Sequence, residues 1–199
     1  MSDDDPLGKL PPTFTYGQAR DVGVTKWRLY ALRDSGVIEA IARGVYQRAD
    51  DRSATSDHDL LEIAHRAHDA TLCLTTALIH HGLSDAIPSA IDVALPRGAH
   101  RPQVASRVNW HMFDPGTFDI GRERLAVDSH TGIGLYSVER CIIDAFRLRH
   151  HEGEDVAHIA LRRWLARRSS SPAVLLQMAR RFPQAQKGLR QALEILLYE

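Results

Sequence analysis

Between Val24 and Arg33 the chain reads VTKWRLYALR, which interleaves Lys26, Arg28 and Arg33 with Trp27 and Tyr30 and holds no acid. Ammonium and guanidinium groups pair with phosphate oxygens, and aromatic rings offer apolar faces to bases. The set therefore fits contact with a nucleic acid, with the Thr25 hydroxyl at its start. A second basic cluster lies far downstream, where LRRWLARR sets Arg162, Arg163, Arg167 and Arg168 in pairs around Trp164 and Leu165. From Ala157 to Arg190 there are eight basic residues and no Asp or Glu. This cluster reads either as a solvated face opposing the acidic mid-chain or as a second charged binding surface. The formal net charge of +0 hides this unevenness, and local fields rather than the sum decide which partners bind.

Other residue types raise enzymatic chemistry and then weaken it. The chain has 11 histidines. HDLLEIAHRAH places His58, Glu62, His65 and His68 near one helix face, and HHEGEDVAH gathers His150, His151, Glu154 and His158. Neither follows a zinc-ligand signature, so no metal and no cofactor are expected. HGLSDAIPSAIDVAL puts Gly82 and Ser84 ahead of a strand bearing Asp92, as in a nucleotidyltransferase. Phosphoryl transfer there needs two strand carboxylates to hold metal ions, and the second position is Ala94. There is no phosphate loop, no GxSxG and no Cys/His pair in a recognisable context, so catalysis is not expected. Cys73 and Cys141 lack CxxC spacing and sit in apolar patterns, as reduced core residues do.

The elements that must carry the first basic run follow from spacing. Ala19 is small enough for two helices to cross, Gly23 lies where the intervening turn needs positive φ, and Val22, Val24, Leu29 and Leu32 form a buried side. Thr25, Lys26, Trp27, Arg28, Tyr30 and Arg33 are left on or beside the exposed side of the second helix. Gln18 departs from this pattern, since an apolar residue is more usual there. Next, GVIEAIARGVYQR offers Val37, Ile38 and Ile41, a turn at Gly44, then Val45 and Tyr46. This predicts a β-hairpin, with Arg43 at its tip within reach of phosphate or a minor groove. The combination predicts a winged helix-turn-helix.

Residues 1–13, acidic and proline-rich, read as a disordered lead-in, and the polar stretch 50–57 as a linker. The expected domains are thus 14–49, DNA-binding, and 58–199. In the second, HDLLEIAHRAHDATLCLTTALIHHGL reads as two helices, with Leu60, Leu61, Ala64 and Ala67 on one face of the first. Ile91, Val93 and Leu95, then Val108, Trp110 and Met112, then Leu125 and Val127 alternate as half-buried strands do. After Ser137 the period becomes helical. Ser137 caps a helix burying Cys141, Ile142, Ala145 and Phe146, Gly153 ends it, and Ser171 with Pro172 opens a later one. The expected fold class is α+β: a winged helix-turn-helix, then an α+β domain with a small, mostly antiparallel sheet and a helical C-terminal end. At 44% hydrophobic and 25% charged, with no long apolar run and no signal-like start, the chain reads as a cytoplasmic protein without a membrane segment.

FTYGQARDVGVTKWRLYALRDSGVIEAIARGVYQRAD resembles the N-terminal domain of AbiEi family antitoxins, which close on a similar RGVY. TLCLTTALIHHGLSDAIPSAIDVALPRG resembles the opening of that family's second domain, and YSVERCIIDAF resembles the ER-to-D start of a helix in that domain through Glu139, Arg140 and Asp144. The resemblance spans most of residues 14–196. It implies an antitoxin of a type IV toxin–antitoxin, or abortive-infection, system. Such a protein represses its operon by binding inverted repeats in promoter DNA through the winged helix. It also counteracts a cognate nucleotidyltransferase-like toxin without a stable complex. Under this resemblance Arg162, Arg163, Arg167 and Arg168 become candidates for an antitoxin surface facing toxin or RNA. A stand-alone winged-helix regulator, or an enzyme of the metal-dependent or nucleotidyltransferase kind, is the alternative.

Overall fold

The computed structural model describes residues 6–51 and 57–198, apart from the side chains of 51, 151, 152, 154 and 198. Its order begins with β1 (Thr13–Thr15), α1 (Tyr16–Asp21), α2 (Lys26–Asp34), β2 (Ile38–Ala42), β3 (Val45–Arg48) and α3 (His58–Arg66). It continues with β4 (Thr71–Leu72), α4 (Leu74–His80), β5 (Ile91–Pro96), β6 (Val108–Phe113), α5 (Pro115–Phe118), β7 (Arg122–Ala126) and β8 (Gly132–Tyr136). The chain closes with α6 (Val138–Arg147), α7 (Arg149–Glu152), α8 (Glu154–Leu165), α9 (Pro172–Ala179) and α10 (Pro183–Tyr198). The fold is α+β, with one antiparallel and one mixed sheet. No helix among the described residues is long and apolar enough to cross a membrane.

Two compact units divide the chain: 1–70 with 100–107 and 124–133, and 71–99 with 108–123 and 134–199. The first unit is built on a three-stranded antiparallel sheet, β1-β3-β2. Phe14 and Tyr46 face each other across the β1–β3 pair and stack at 6.1 Å between ring centroids. Around them Leu7, Leu10, Ala19, Val24, Leu29 and Ile38 form the core. Leu7 lies in a 3-10 turn over Pro6–Lys9, so the expected disordered lead-in is ordered from residue 6. The reason is apolar: Leu7 and Leu10 are buried, and β1 hydrogen-bonds to β3. The sequence reading also placed α3 in the second domain. Its Leu61, Ile63 and Ala64 are buried, and α3 packs on β1 and β2, which puts it in the first unit.

The five-stranded sheet has the order β6-β5-β4-β8-β7. It is mixed rather than mostly antiparallel, because β4 pairs in parallel with β8 and β5 with β6, while β4 and β5 run antiparallel. Long connections make this possible, and alternation along single strands, from which a mostly antiparallel sheet is expected, carries no information on the direction of pairing. Asp92, Val93, Ala94 and Leu95 of β5 are all buried, so this is an internal strand covered on both faces rather than a half-buried one. The spacing predicts none of β1, β4 and β8: β4 falls inside the run read as two helices, and the two glycines of β8, GIGLY, mask its apolar pattern. The predicted helices after Ser137 form. Ser137 Oγ accepts from the Arg140 amide, and Cys141, Ile142, Ala145 and Phe146 are buried. That helix stops at Arg147; a separate turn, α7, intervenes before Gly153, and Ser171 opens α9 without a side-chain cap bond. α6 forms the hub of the second unit, packing against α4, α8, α9 and α10.

Candidate nucleic-acid interface

α1 is a six-residue helix, short enough that Gln18 sits at its third position rather than in its middle. The Gln18 side chain accepts from the Thr15 amide at 2.7 Å, and Thr15 Oγ1 accepts from the Gln18 amide at 3.2 Å. This reciprocal cap explains the polar residue that the sequence pattern could not. Ala19 is fully buried at the crossing. The turn closes through Val24 N–H donating to Ala19 O at 2.9 Å and Gly23 N–H to Arg20 O at 2.9 Å, with Gly23 at φ 87°. A side chain at that angle is strained, so glycine sets the angle between α1 and α2.

α2 starts at Thr25, whose Oγ1 accepts from the Arg28 amide at 3.3 Å. Thr25 therefore caps the helix, with its hydroxyl oxygen accepting from the backbone. Leu29 is buried and Leu32 half-buried. With about 3.6 residues per turn, the opposite face carries Trp27, Tyr30 and Ala31. Lys26 and Arg33 lie on one flank and Arg28 on the other. Trp27 is 81% exposed and Tyr30 40%. The Tyr30 ring lies 5.7 Å from Lys26 Nζ and 5.0 Å from the Arg33 guanidinium carbon, so it gathers both cations on one flank. Arg33 also pairs with Asp34 at 2.7 Å, where both are exposed. Burial pushes the Tyr46 phenol above its ordinary value; Tyr30 adds to this, while Arg33 and Lys26 oppose it.

The β2–β3 hairpin turns at Arg43 and Gly44, with a register shift between Ala40 and Ala42. Arg43 is exposed as expected. Its tip is tied down, however: Arg66 of α3 donates to Arg43 O, and Tyr16 N–H donates to Gly44 O at 3.0 Å. The hairpin is a short, anchored projection beside α1.

The second basic cluster is partly turned inward. Arg163 pairs with Asp85, which holds that carboxyl below its usual range, and Arg167 donates to His81 O. Arg162 and Arg168 are exposed, and Trp164 is buried. The histidine runs do not converge. α3 ends at Arg66, which takes His68 off the face of His58 and His65, and Glu62 accepts from the Ala105 amide at 2.9 Å. The side chains of His151 and Glu154 lie outside the described residues. Among those described, no group of three His, Cys, Asp or Glu could hold a metal. Asp92 is buried, with Oδ1 at 3.1 Å from Asn109 Nδ2 and 3.0 Å from His111 Nε2, so neighbouring strand residues occupy that oxygen.

Glu139 is half-buried, whereas Arg140 and Asp144 form a buried ion pair at 2.9 Å. Arg140 also donates to Thr117 O at 2.7 Å and Ile120 O at 2.6 Å, and lies 4.2 Å over Tyr136 and 4.4 Å over Phe182. This part of the ER-to-D element organises the core around α6. Nothing in its spacing alone separated that role from a binding one.

No known protein family matches the chain, and no curated protein matches it. Among solved structures, the chain is similar to the Rv2827c protein from Mycobacterium tuberculosis, at 16% identity and a TM-score of 0.45, over 94% of this chain and 76% of that one.

Proposed function

We propose that the chain is a DNA-binding repressor whose first unit acts as a winged helix on its own promoter, and that it serves as the antitoxin of a type IV toxin–antitoxin system. The observation that carries the DNA reading is the layout of α2. Trp27 and Tyr30 lie on the outward face, Lys26 and Arg33 on one flank and Arg28 on the other, with Leu29 locked beneath. A helix so arranged fits a major groove, with rings towards base edges and cations towards the two phosphate walls. Arg43, on the anchored hairpin, would reach the adjacent backbone. Repression would be steric, through occlusion of the promoter, and inverted repeats would present two copies of the half-site.

The antitoxin reading rests on the resemblance of the two domains to AbiEi antitoxins, with a nucleotidyltransferase-like toxin as the opposed activity. One pair of assays tests both. Full-length protein is titrated onto its own upstream DNA and onto random DNA over a range of salt, and the product of the adjacent gene is expressed with and without it. Lys26→Ala, Arg28→Ala and Arg33→Ala together are expected to weaken binding to promoter and random DNA alike and to lower its salt slope, while protection from the toxin is retained. Equal binding to promoter and random DNA by the unaltered protein would remove the repressor reading. Repression without protection would make the chain a stand-alone regulator. Point substitutions suit this test better than deletion of residues 1–50, because the first unit draws on residues up to 70 and on two later segments.

A further inference from the structure

The C-terminal helices expose a line of aliphatic side chains that the second unit does not use for its own core. Ile159 of α8 is 49% exposed, Val174 of α9 49%, and Ile195 and Leu197 of α10 61% and 59%. They are not scattered. Ile159 and Ile195 line opposite walls of a groove of about 400 Å3 between α8 and α10, floored by Ala192 and Leu196. Leu197 lines a second groove of about 440 Å3 on the other side of α10, with Leu176 and Leu193. The last turns of α10 thus form an apolar ridge with a trough on each side. Contiguous exposed aliphatic side chains rimmed by charged groups mark interaction surfaces, where scattered ones do not.

Charge selects the occupant. Arg162 and Arg163 stand on the α8 wall of the first trough, Arg190 borders the second, and Lys187 and Arg149 border a third hollow between them. The acids along these rims are Asp155 and Glu194, and Asp85 beside them is paired with Arg163, which still leaves the cations in excess. A second copy of this chain would bring the same cations face to face, since a two-fold contact buries one patch against itself. A nucleic acid strand would use exposed rings for stacking, but Trp164 and Phe182, the aromatics described on and between these helices, are buried. An aliphatic trough between two helices with a basic rim matches a helix bearing an apolar stripe edged by carboxylates.

We infer that the α8–α10 face is a docking groove for an amphipathic helix of another protein, with Asp and Glu beside its apolar stripe. Ile159, Ala192, Ile195 and Leu196 receive the stripe. Arg162 and Arg163 meet the carboxylates, with Arg163 exchanging its contact to the exposed Asp85 for one on the partner. The surface is independent of α2, so this inference stands or falls apart from the promoter reading.

The test uses the full chain and two labelled synthetic helices of about 18 residues with the same Leu stripe, one flanked by Glu and one by Lys. Fluorescence anisotropy reads binding. The Glu helix is expected to bind about tenfold or more tightly than the Lys helix, with the margin shrinking as salt rises. Ile159→Ser and Ile195→Ser, both at exposed positions, are expected to weaken the Glu helix about tenfold together, and Arg162→Gln to narrow the preference. Circular dichroism checks that the variants remain folded. Equal affinity for the two helices, no binding of either, or binding indifferent to the Ile substitutions would overturn the proposal. It would also be overturned if a single-stranded RNA of about 20 nucleotides, or anionic phospholipid vesicles, bound more tightly through the same residues. Self-association abolished by Ile195→Ser would reassign the face to a second copy.

Discussion

Replacing Asp144 with Leu isolates what the buried pair on α6 contributes. The Asp144 carboxylate is fully buried and accepts from Arg140 Nε at 2.9 Å and Arg147 Nε at 3.0 Å. Its loss leaves two guanidinium groups facing each other. Arg147 is 18% exposed at its side chain and can turn towards water, but Arg140 is at 0% and keeps only the carbonyls of Thr117 and Ile120. Its Nη2 already lacks a hydrogen-bond partner. An uncompensated buried charge of this kind costs about 3–5 kcal/mol. Arg147→Met should cost less, about 1 kcal/mol, since Arg140 still neutralises the carboxylate. In Arg140→Met/Asp144→Leu no fully buried charge remains, and the methionine fills the space against Tyr136 and Phe182. The double variant should therefore be more stable than the sum of the singles predicts, by at least about 1.5 kcal/mol. Urea unfolding followed through Trp164, buried on α8, and Trp110, half-buried on β6, reads the second unit, while the exposed Trp27 contributes little change. Single variants each costing under about 1 kcal/mol, or strictly additive effects, would refute the view that Arg140 and Asp144 are coupled.

Three further outcomes test other parts of the structure. Arg28→Ala should lower the salt slope of promoter binding by about one, and Asp34→Asn, by releasing Arg33, should tighten binding about threefold; an unchanged slope in the first and unchanged affinity in the second would remove α2 from the interface. His65 is half-buried with Nε2 lacking a partner, and burial lowers its pKa below 6.5, with Asp128 opposing and His68 adding to the shift. The unfolded chain then takes the proton first. The unfolding free energy of the first unit from urea titration should fall as pH drops below about 6.5, by at most about 1.4 kcal/mol per pH unit, and His65→Gln should flatten that slope. Gly121→Ala should destabilise the second unit by about 2 kcal/mol or more, because φ is 69° and an added Cβ would lie 2.8 Å from Arg140 Cβ; thermal unfolding within about 2 °C of the parent would contradict this.

Sequence spacing carried far where the determinants are local. Ala19, Gly23, Leu29 and the Ser137 cap act within a few residues of themselves, so the α1–α2 turn and the start of α6 were legible before any coordinates. Periodicity also marked most of the C-terminal helices, because one face of each must be apolar wherever the rest of the chain lies. Local pattern misled where a strand's fate depends on distant chain. β5 alternates as a half-buried strand does, yet β4 and β6 flank it and both its faces are covered. The glycines of β8 concealed a strand that pairing with β4 holds in place.

By itself, the sequence determined an α+β chain with a glycine-hinged helix pair, an acid-free basic run over 24–33 with Trp27 and Tyr30 in it, and a run of cationic C-terminal helices. Only the tertiary structure decided what those residues face. It turned Thr25 and Gln18 into caps, tied the Arg43 turn to α1 and α3, and folded Arg163 and Arg167 back onto their own unit. It also buried Arg140 with Asp144 and left Ile159 and Ile195 uncovered. The physical reason is that side-chain type fixes charge, size and donor capacity. Whether a charge meets water, a carboxylate or a backbone carbonyl depends on chain brought in from tens of residues away, which no local pattern encodes.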